Sequence, residues 1–347
     1  MRCSGLPKCR RLHPIGHNDL RDQSVIREIN VTGSAETSMT VSVVIAAHTF
    51  ERCDDLAQAV ESAISQQSPP YEVVVAVDNN PDLYEWVSKK LPDVTAVDHR
   101  GARGAGSTRN SGAKAAYGNI LAFLDDDAIA RPNWLQNLIT PLDRPDVTGV
   151  GGRAEPVWRG PVPKWLPAEF LWVVGASYLG MPKVAAPIRN VWSQNMAVRR
   201  ADFWKVGGFR EGFGKVGLES TACDDTDLCI RMSAATGGIW WYEPSAVIGH
   251  VVPARRSTPR FFLQRCYTEG KGKADMAVLL GPSGRLQDER RHATKTLPRG
   301  LQRELWQAVS HQEFGAFQRA TAMAVGLGAA SAGYVFRRVR RASLSGG

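Results

Sequence analysis

An apolar run of five residues, Ile120 to Leu124, leads directly into three consecutive aspartates, Asp125, Asp126 and Asp127. A short apolar run bounded by polar residues is typical of a buried β-strand. Carboxylates this close repel one another, and a divalent cation that binds one or two of them relieves the repulsion. The feature therefore predicts a metal and nucleotide diphosphate site. The aspartates also suit a helix start, since Pro132 could open a helix here.

The composition is that of an ordinary folded protein. The chain has 347 residues, 43% hydrophobic and 22% charged, which allows one large domain or two modest ones. The first 38 residues contain no continuous apolar stretch and no recognisable secretory signal, so we expect a flexible extension over 1–38, with Met39 as an alternative start. The six cysteines lack CxxC spacing, which argues against a disulfide framework or zinc site and favours a reducing cytosol.

Positive charge is concentrated near the C-terminal end. Residues 281–347 hold eleven Lys or Arg against four Asp or Glu. Within them, Thr321 to Phe336 is uncharged and shorter than the roughly 20 residues of a spanning helix. The segment suits either a helix lying on an anionic cytoplasmic leaflet or a helix packed on the protein body. No recognition motif accompanies the charge, so we expect no nucleic-acid partner.

The front half alternates between strand-like and helix-like segments. Val41 to Ala47, Glu72 to Val77 and Val94 to Val97 have the length and apolar character of strands. After the first of these runs, apolar residues repeat at helical spacing. Leu83 to Lys90 suits a short helix after the second run. This pattern predicts an α/β fold with a doubly wound, mostly parallel sheet and flanking helices.

Three predicted strands end in polar residues. His48 and Thr49 follow the first strand, Asp78 follows the second, and the aspartates follow Leu124. Ligands in such sheets bind beyond the carboxyl ends of the strands, so we expect one polar crevice there. Neither GxGxxG nor GxxxxGK[ST] occurs where it would be needed, which disfavours a dinucleotide-binding or ATPase version of the fold.

A glycine-rich stretch from Arg100 to Gly112 lies before the aspartates and passes into a predicted small-residue helix around Ala113 to Tyr117. Glycine permits close backbone approach. Arg103 and Arg109 offer charge to a diphosphate or a carboxylate. Arg109 fits a structural pairing with one of the aspartates equally well.

Taken together, these motifs resemble the ordered motifs of family 2 glycosyltransferases, which have the GT-A fold. The motifs are Val43 to Arg52, Glu72 to Asn79, Arg109 to Gly112, Phe123 to Asp127, Asn195 to Arg200, Gly207 to Phe209 and Asp224 to Arg231. The chain most resembles the glucosyl-dolichyl phosphate glucuronosyltransferase-like branch, through the motifs Phe50 to Arg52, Phe123 to Leu135, Gly151 to Pro156 and Lys164 to Phe170. The resemblance predicts a domain over 39–275, with a nucleotide-binding half (39–135) and an acceptor-binding half (136–275). Residues 276–347 remain as a basic helical C-terminal region.

The resemblance implies an inverting hexosyltransferase. Its expected donor is a nucleotide diphosphate sugar, UDP-linked, and its acceptor a hydroxyl of a glycan or a polyprenyl-phosphate-linked saccharide, with Mn²⁺ or Mg²⁺ as cofactor. The implied nucleotide-sugar contacts are Ala46, Ala47, His48, Glu51, Asp78, Arg109, Asp125 and Asp126. Asp127 and His250 are implied metal ligands, although His250 also suits a structural role, and Trp192 and Asn195 are expected to border the acceptor. His48 stands where the family commonly has tyrosine, so the contact to the base of the nucleotide stays open at this position.

The chemistry of sugar transfer needs a general base for the acceptor hydroxyl, while a metal stabilises the leaving diphosphate. Asp225, beside Asp224, is the candidate base at the start of a predicted helix that ends at Gly237. The helix N-terminus favours the ionised carboxylate, whereas Asp224 opposes it. Both aspartates also suit plain helix-start residues. One in-line displacement predicts inversion without a covalent intermediate.

The segment from Pro156 to Pro187 is rich in aromatic residues and proline. We expect a partly irregular flap by the acceptor entrance, because aromatic faces suit sugars and lipid chains, although burial in the core is the alternative for any one tryptophan.

Two other classes of function stay open. A nucleotidyltransferase on a related sheet would carry a phosphate-activating loop that Ala46 to Arg52 lacks. A non-catalytic membrane-associated scaffold would explain the basic tail but not the ordered acidic motifs.

Overall fold

Four parallel strands form the front half of the main sheet in the computed structural model, which describes residues 39–211, 214–216, 219–221, 224–279 and 291–345. In the order β3-β2-β1-β4, they are β1 (Val41–Ala47), β2 (Glu72–Asp78), β3 (Thr95–His99) and β4 (Ile120–Asp125). The apolar side chains of β2 and β4 and nearly all of those of β1 are buried because helices cover both faces of the sheet, whereas those of β3 are half-buried. The extension predicted over 1–38 lies outside the described residues.

Three helices connect these strands: α1 (Cys53–Ile64), α2 (Pro81–Lys90) and α3 (Ala105–Ala115). The sequence predicted the third around Ala113 to Tyr117, but it begins eight residues earlier and takes in much of the glycine-rich stretch. The Asp78 carboxylate accepts a hydrogen bond from the Gly104 N–H at 3.0 Å, which fixes the residue before the helix. At Gly112 a Cβ would come within 2.6 Å of the Val44 side chain. The glycines therefore let α3 lie close on the sheet.

The back half of the sheet mixes strand directions. Its strands are β5 (Ala128–Ala130), β6 (Val147–Trp158), β7 (Ala186–Ile188), β8 (Asn195–Arg199) and β11 (Ile239–Val252). β8 is antiparallel to β4 and β6, and β11 is parallel to β6. A register shift between Glu243 and Val247 divides β11, so β7 pairs with its first part and β5 with its last part. A separate hairpin holds β9 (Gly214–Val216) and β10 (Glu219–Thr221).

The short helices α4 (Trp134–Ile139) and α5 (Arg200–Lys205) and the longer α6 (Asp224–Thr236) complete this part. The mostly parallel α/β sheet with flanking helices is confirmed.

Three helices follow the sheet: α7 (Pro259–Leu279), α8 (Leu297–Ser310) and α9 (Phe314–Ser345), with a π-helical turn at His292–Thr296 before α8. α7 and α9 pack closely where both carry glycine: a Cβ on Gly270 would lie 1.9 Å from the carbonyl oxygen of Ala330. In the described part of the chain, no helix combines the length and hydropathy needed to cross a bilayer. α7 runs across residue 275, and the domain boundary placed there stays a prediction.

Candidate active site

The carboxyl ends of the parallel strands meet at one edge of the sheet. In β1, Ala46 lies opposite Asp125 of β4 and Ala76 of β2. Asp78 ends β2 at the same edge and is hydrogen-bonded to the loop before α3. Beyond Ala47, His48 and Glu51 are exposed. The strand ends that carry Ala46, Asp78 and Asp125 therefore lie side by side at one edge, as the pattern of strand ends indicated.

Asp125, Asp127 and His250 form a group that could hold a metal ion. One ligand atom from each residue lies within 4.8 Å of the others, and His250 Nε2 is 3.3 Å from Asp127 Oδ1. The pairing of β5 with β11 creates this proximity, because His250 lies opposite Ala128 and Val251 donates to the Asp127 carbonyl at 2.8 Å. The two carboxylates are ligands suited to Mn²⁺ or Mg²⁺.

The backbone at Gly175 positions the imidazole of His250. Gly175 has φ +80°, and a Cβ there would lie 2.7 Å from His250 Cε1. Only glycine meets both requirements without strain. His250 is 4% exposed, and its Nδ1 is buried without a hydrogen-bond partner. The ring is thus held by packing, with Nε2 facing the aspartates.

Two arginines that the sequence did not single out surround the aspartates. Arg52 Nη1 donates to Asp126 Oδ1 at 2.8 Å and lies 3.2 Å from Asp127 Oδ2. Arg256, in the turn after β11, has a side chain only 14% exposed, and its Nη2 is 3.9 Å from Asp127 Oδ2. Arg52 ends the Phe50-Glu-Arg motif and could have been found there, whereas Arg256 carries no local signal.

The pKa values of the neighbouring carboxyls Asp126 and Asp127 are shifted in opposite directions. Burial raises the pKa of Asp126 to about 7, against the pull of Arg52 and with support from Asp127 and Asp125. Burial acts the same way on Asp127, but His250, Arg52 and Arg256 outweigh it and hold that pKa well below its usual range. The pKa of Arg256 is lowered, first by burial and then by the nearby cations Arg52 and Arg255, despite the attraction of Asp127. Asp127 is therefore the ionised member of the pair.

Arg109 pairs with an aspartate, which is one of the two roles that the sequence left open. Its buried Nη2 donates to Asp125 Oδ1 at 2.5 Å. Burial lowers the pKa of this guanidinium, but Asp125, Asp225 and Asp224 more than compensate and raise it overall. The arginine thus interacts with Asp125 at the end of β4 and with the two aspartates that begin α6.

Asp224 and Asp225 begin α6, as predicted. Burial, followed by repulsion from Asp224, raises the pKa of Asp225 to about 7, and the opposing effects of Arg109 and the Ser193 hydrogen bond do not cancel this. Asp225 Oδ1 is inaccessible and has no hydrogen-bond partner. A helix N-terminus favours the ionised carboxylate, but burial and Asp224 have the larger effect. The carboxyl therefore titrates near neutral pH, in the range suited to a general base.

The two predicted acceptor residues have different surroundings. Trp192 is half-buried, with its ring centroid 6.3 Å from that of Tyr178, and it precedes Ser193, the hydrogen-bond partner of Asp225. Asn195 is 2% exposed. Its amide accepts from Trp134 Nε1 at 2.8 Å and donates to the carbonyls of Arg153 and Ala246, each at 3.0 Å. The Asn195 amide therefore joins a helix to two strands, and its place beside the acceptor stays a prediction.

Comparison with known proteins identifies the family. The sequence matches glycosyl transferase family 2 over residues 42–207. It is 31% identical over 247 residues to glucosyl-dolichyl phosphate glucuronosyltransferase of Haloferax volcanii, covering 70% of this chain and 78% of that protein. The chain belongs to glycosyltransferase family 2. This confirms the predicted family, its branch and the expectation of a hexosyltransferase enzyme, and it disfavours both the nucleotidyltransferase and the scaffold.

Two solved structures show the same fold as this glycosyltransferase. A mannosyltransferase from Pyrobaculum calidifontis, determined with GDP-Man and Mn²⁺, has a TM-score of 0.56 at 18% identity, over 84% of this chain and 86% of that one. GalNAc-T7, determined with UDP, GalNAc and Mn²⁺, has a TM-score of 0.50 at 17% identity, over 74% of this chain and 55% of that one. The similarity confirms the GT-A fold.

The aromatic flap of the glycosyltransferase is tied to its C-terminal helices. Most of the segment is irregular, with a 3₁₀ helix at Ala168–Val174. Phe170 is buried, and its ring centroid lies 5.4 Å from that of Phe262 in α7. Tyr178 contacts His292 edge-on, with 5.1 Å between ring centroids. Part of the predicted flap is therefore core, and Tyr178 borders Trp192.

Proposed function

We propose that this glycosyltransferase transfers a hexosyl group from a UDP-sugar to a hydroxyl of a glycan or lipid-linked saccharide, with inversion at the anomeric carbon. The observation that carries the proposal is the position of Arg109, whose buried guanidinium is hydrogen-bonded to Asp125 and interacts electrostatically with Asp224 and Asp225. A potential metal group and a carboxyl with a pKa near 7 thus belong to one site.

The relatives support the choice of donor, acceptor and cofactor. The Haloferax volcanii protein is named for glucuronosyl transfer to glucosyl-dolichyl phosphate. The structures with similar folds hold GDP-Man or UDP together with Mn²⁺. We therefore propose a polyprenyl-phosphate-linked saccharide as acceptor and Mn²⁺ or Mg²⁺ as cofactor.

Asp125, Asp127 and His250 would hold the metal ion, which when bound would stabilise negative charge on the departing diphosphate. Arg52 and Arg256 lie on the other side of the Asp127 carboxylate. Their positive charges would attract the diphosphate to the same place and oppose its charge as it leaves.

Asp225 would act on the acceptor. In its ionised form it accepts the proton of the acceptor hydroxyl as that oxygen forms a bond to the anomeric carbon and the bond from this carbon to the diphosphate oxygen breaks. Ser193, hydrogen-bonded to the carboxylate, would orient it. Attack opposite the leaving group gives inversion in a single step, and no enzyme nucleophile is needed.

We further propose that the enzyme works at the cytoplasmic face of a membrane, where its C-terminal helices would meet a lipid-linked acceptor.

The proposal is tested by finding the donor and then removing the base. Nucleotide sugars are screened for protection against thermal unfolding with and without Mn²⁺, since a ligand selective for the folded state stabilises it. Transfer is then compared between wild type, Asp225→Asn and the control Asp202→Asn, which alters a partly exposed aspartate of α5. We expect Asp225→Asn to lose transfer while keeping nucleotide binding. Unchanged transfer by Asp225→Asn would exclude it as the base, and a product with retained anomeric configuration would exclude inversion.

A further inference from the structure

The outward side of α9 carries an apolar surface along most of its length. Six large apolar side chains define this outer stripe and are between 47% and 72% exposed: Phe314, Phe317, Val325, Val335, Phe336 and Val339. At about 100° of rotation per residue they fall within an arc of roughly 100° on the helix, and at about 1.5 Å per residue they extend over roughly 38 Å. They therefore share one face of the helix rather than being scattered around it.

The opposite side of α9 is already packed. Ala316, Ala320 and Met323 are buried, and a Cβ on Gly333 would lie 2.1 Å from the Tyr267 carbonyl oxygen of α7. The helix cannot rotate its stripe inward without breaking this contact, because backbone atoms leave no room for a larger residue. Anything that buries the stripe must approach from outside.

Arg319 and Arg337 of α9 are paired with acids of the neighbouring helices. Arg319 Nε is 2.7 Å from Glu304 Oε2, and Arg337 Nε is 2.7 Å from Asp275 Oδ1, so both arginines bond to acids of the neighbouring helices. No Lys, Arg, Asp or Glu occurs between residues 320 and 336. A helix on the surface of a soluble protein normally has the reverse arrangement, with its polar side toward solvent. Exposed apolar surface of this extent marks an interaction site.

The flanks of the stripe identify the partner. Beside its N-terminal end, α8 exposes Trp306 (59%) and Val309 (80%). From residue 314 to the end of the chain there is no Asp or Glu, while five arginines are present. Such a surface, apolar and aromatic with an arginine-rich end, suits the headgroup region of an anionic bilayer. Two copies of the same chain would bring like charges together.

We propose that the outer stripe of α9, with Trp306 and Val309, lies in the interface of an anionic lipid bilayer and holds the enzyme parallel to it. The choice of lipid as partner rests in part on the proposed function, since a lipid-linked acceptor would be presented from the same surface. The binding itself requires neither donor nor acceptor.

The test is sedimentation of the full chain with vesicles, in the absence of any sugar nucleotide. The vesicles contain phosphatidylcholine alone or phosphatidylcholine with 30% phosphatidylglycerol. The test variant is the triple Phe317→Ser, Val325→Ser, Phe336→Ser. Its matched control is the double Tyr71→Ser, Tyr117→Ser, which removes rings that are 66% and 77% exposed beside the amino ends of β2 and β4.

We expect the wild type and the double variant to bind anionic vesicles, and the triple variant to bind at least ten-fold more weakly with unchanged circular dichroism and nucleotide binding. A second variant, Arg338→Glu with Arg340→Glu, keeps the apolar side chains and should weaken binding to anionic vesicles only. The proposal is overturned if the wild type stays in the supernatant, or if the triple variant binds as well as the wild type. A lipid-free dimer that the triple variant dissociates, without vesicle binding, would identify a second copy as the partner instead. Loss of vesicle binding with intact transfer to a soluble acceptor would leave the proposed chemistry standing.

Discussion

Arg256 Nη2 lies 3.9 Å from Asp127 Oδ2, which is the longest of the three contacts that basic side chains make to that carboxylate among the described residues. Burial lowers the pKa of this guanidinium, with Arg52 and Arg255 acting in the same direction, because Asp127 and Asp125 compensate only in part. A buried guanidinium with such weak pairing favours an additional anion. The diphosphate of a nucleotide sugar has the charge to fill this need.

We therefore predict that Arg256→Ala weakens binding of UDP by about ten-fold or more, as expected for loss of a charged hydrogen bond, while binding of uridine is unchanged. Titration calorimetry with both ligands measures the difference. The control is Arg255→Ala, which removes the adjacent exposed arginine. Equal loss of uridine and UDP binding would show that Arg256 supports the fold of the site rather than the diphosphate.

Removal of a predicted metal ligand should weaken ion binding, which can be measured without the transfer reaction. We expect Asp127→Asn and His250→Ala each to reduce Mn²⁺ affinity at least ten-fold, since even residues that only orient a ligand commonly contribute this much. Electron paramagnetic resonance of free Mn²⁺ gives the affinity, with the exposed His311→Ala as control. Unchanged Mn²⁺ affinity of both site variants would place the ion elsewhere.

The pH dependence of transfer should report the carboxyl of Asp225. Its pKa is raised to about 7 by burial first and by Asp224 second. The ionised form is the base, so we expect kcat/KM to fall about ten-fold per pH unit below this value and to level off above it. Asp224→Asn removes a neighbouring negative charge and should move the midpoint to lower pH. A midpoint that stays in place would mean that another group controls the acidic limb.

The same carboxyl should make the protein less stable as the pH rises. Because its pKa is raised on folding from 3.8 to about 7, the stability it contributes is present below 3.8 and is lost as the pH rises through about 7. At pH 8 the ionised carboxyl lowers the free energy of unfolding by up to about 4 kcal/mol, and an asparagine at this position avoids that loss. We predict a higher Tm for Asp225→Asn than for wild type at pH 8, with the advantage shrinking toward pH 4. Asp202→Asn should show no such trend, and a lower Tm for Asp225→Asn at pH 8 would contradict the prediction.

The strand and helix pattern of the front half was readable from the sequence because parallel strands are buried on both faces and appear as continuous apolar runs. β1 was predicted with its observed bounds. The observed strands β2 and β4 are each one residue longer than the run from which they were predicted. The start of α3 was wrong because glycine and serine lower helix propensity. Only the close approach of Gly112 to Val44 shows why these residues lie in a helix.

Some residues of the candidate site could likewise be predicted from the sequence, and others could not. Residues at strand ends and at the start of α6 carry a local signal, since an acid after an apolar run or before a helix is visible in the chain itself. Asn195 has a similar motif signal, yet its amide is used by Trp134, Arg153 and Ala246, and contacts with three distant segments cannot be read from spacing.

The sequence by itself determined the family, the parallel sheet and the identity of the acidic residues at its edge, because each depends on local pattern or on motifs in a fixed order. The tertiary structure decided which of them meet. It brought His250 beside Asp127 through β5 and β11, added Arg52 and Arg256 to the aspartates, and raised the pKa of Asp225 by burial. It also decided which side of α9 faces outward. Proximity, burial and the electrostatic field depend on residues far apart in the chain, so they arise only when the chain is folded.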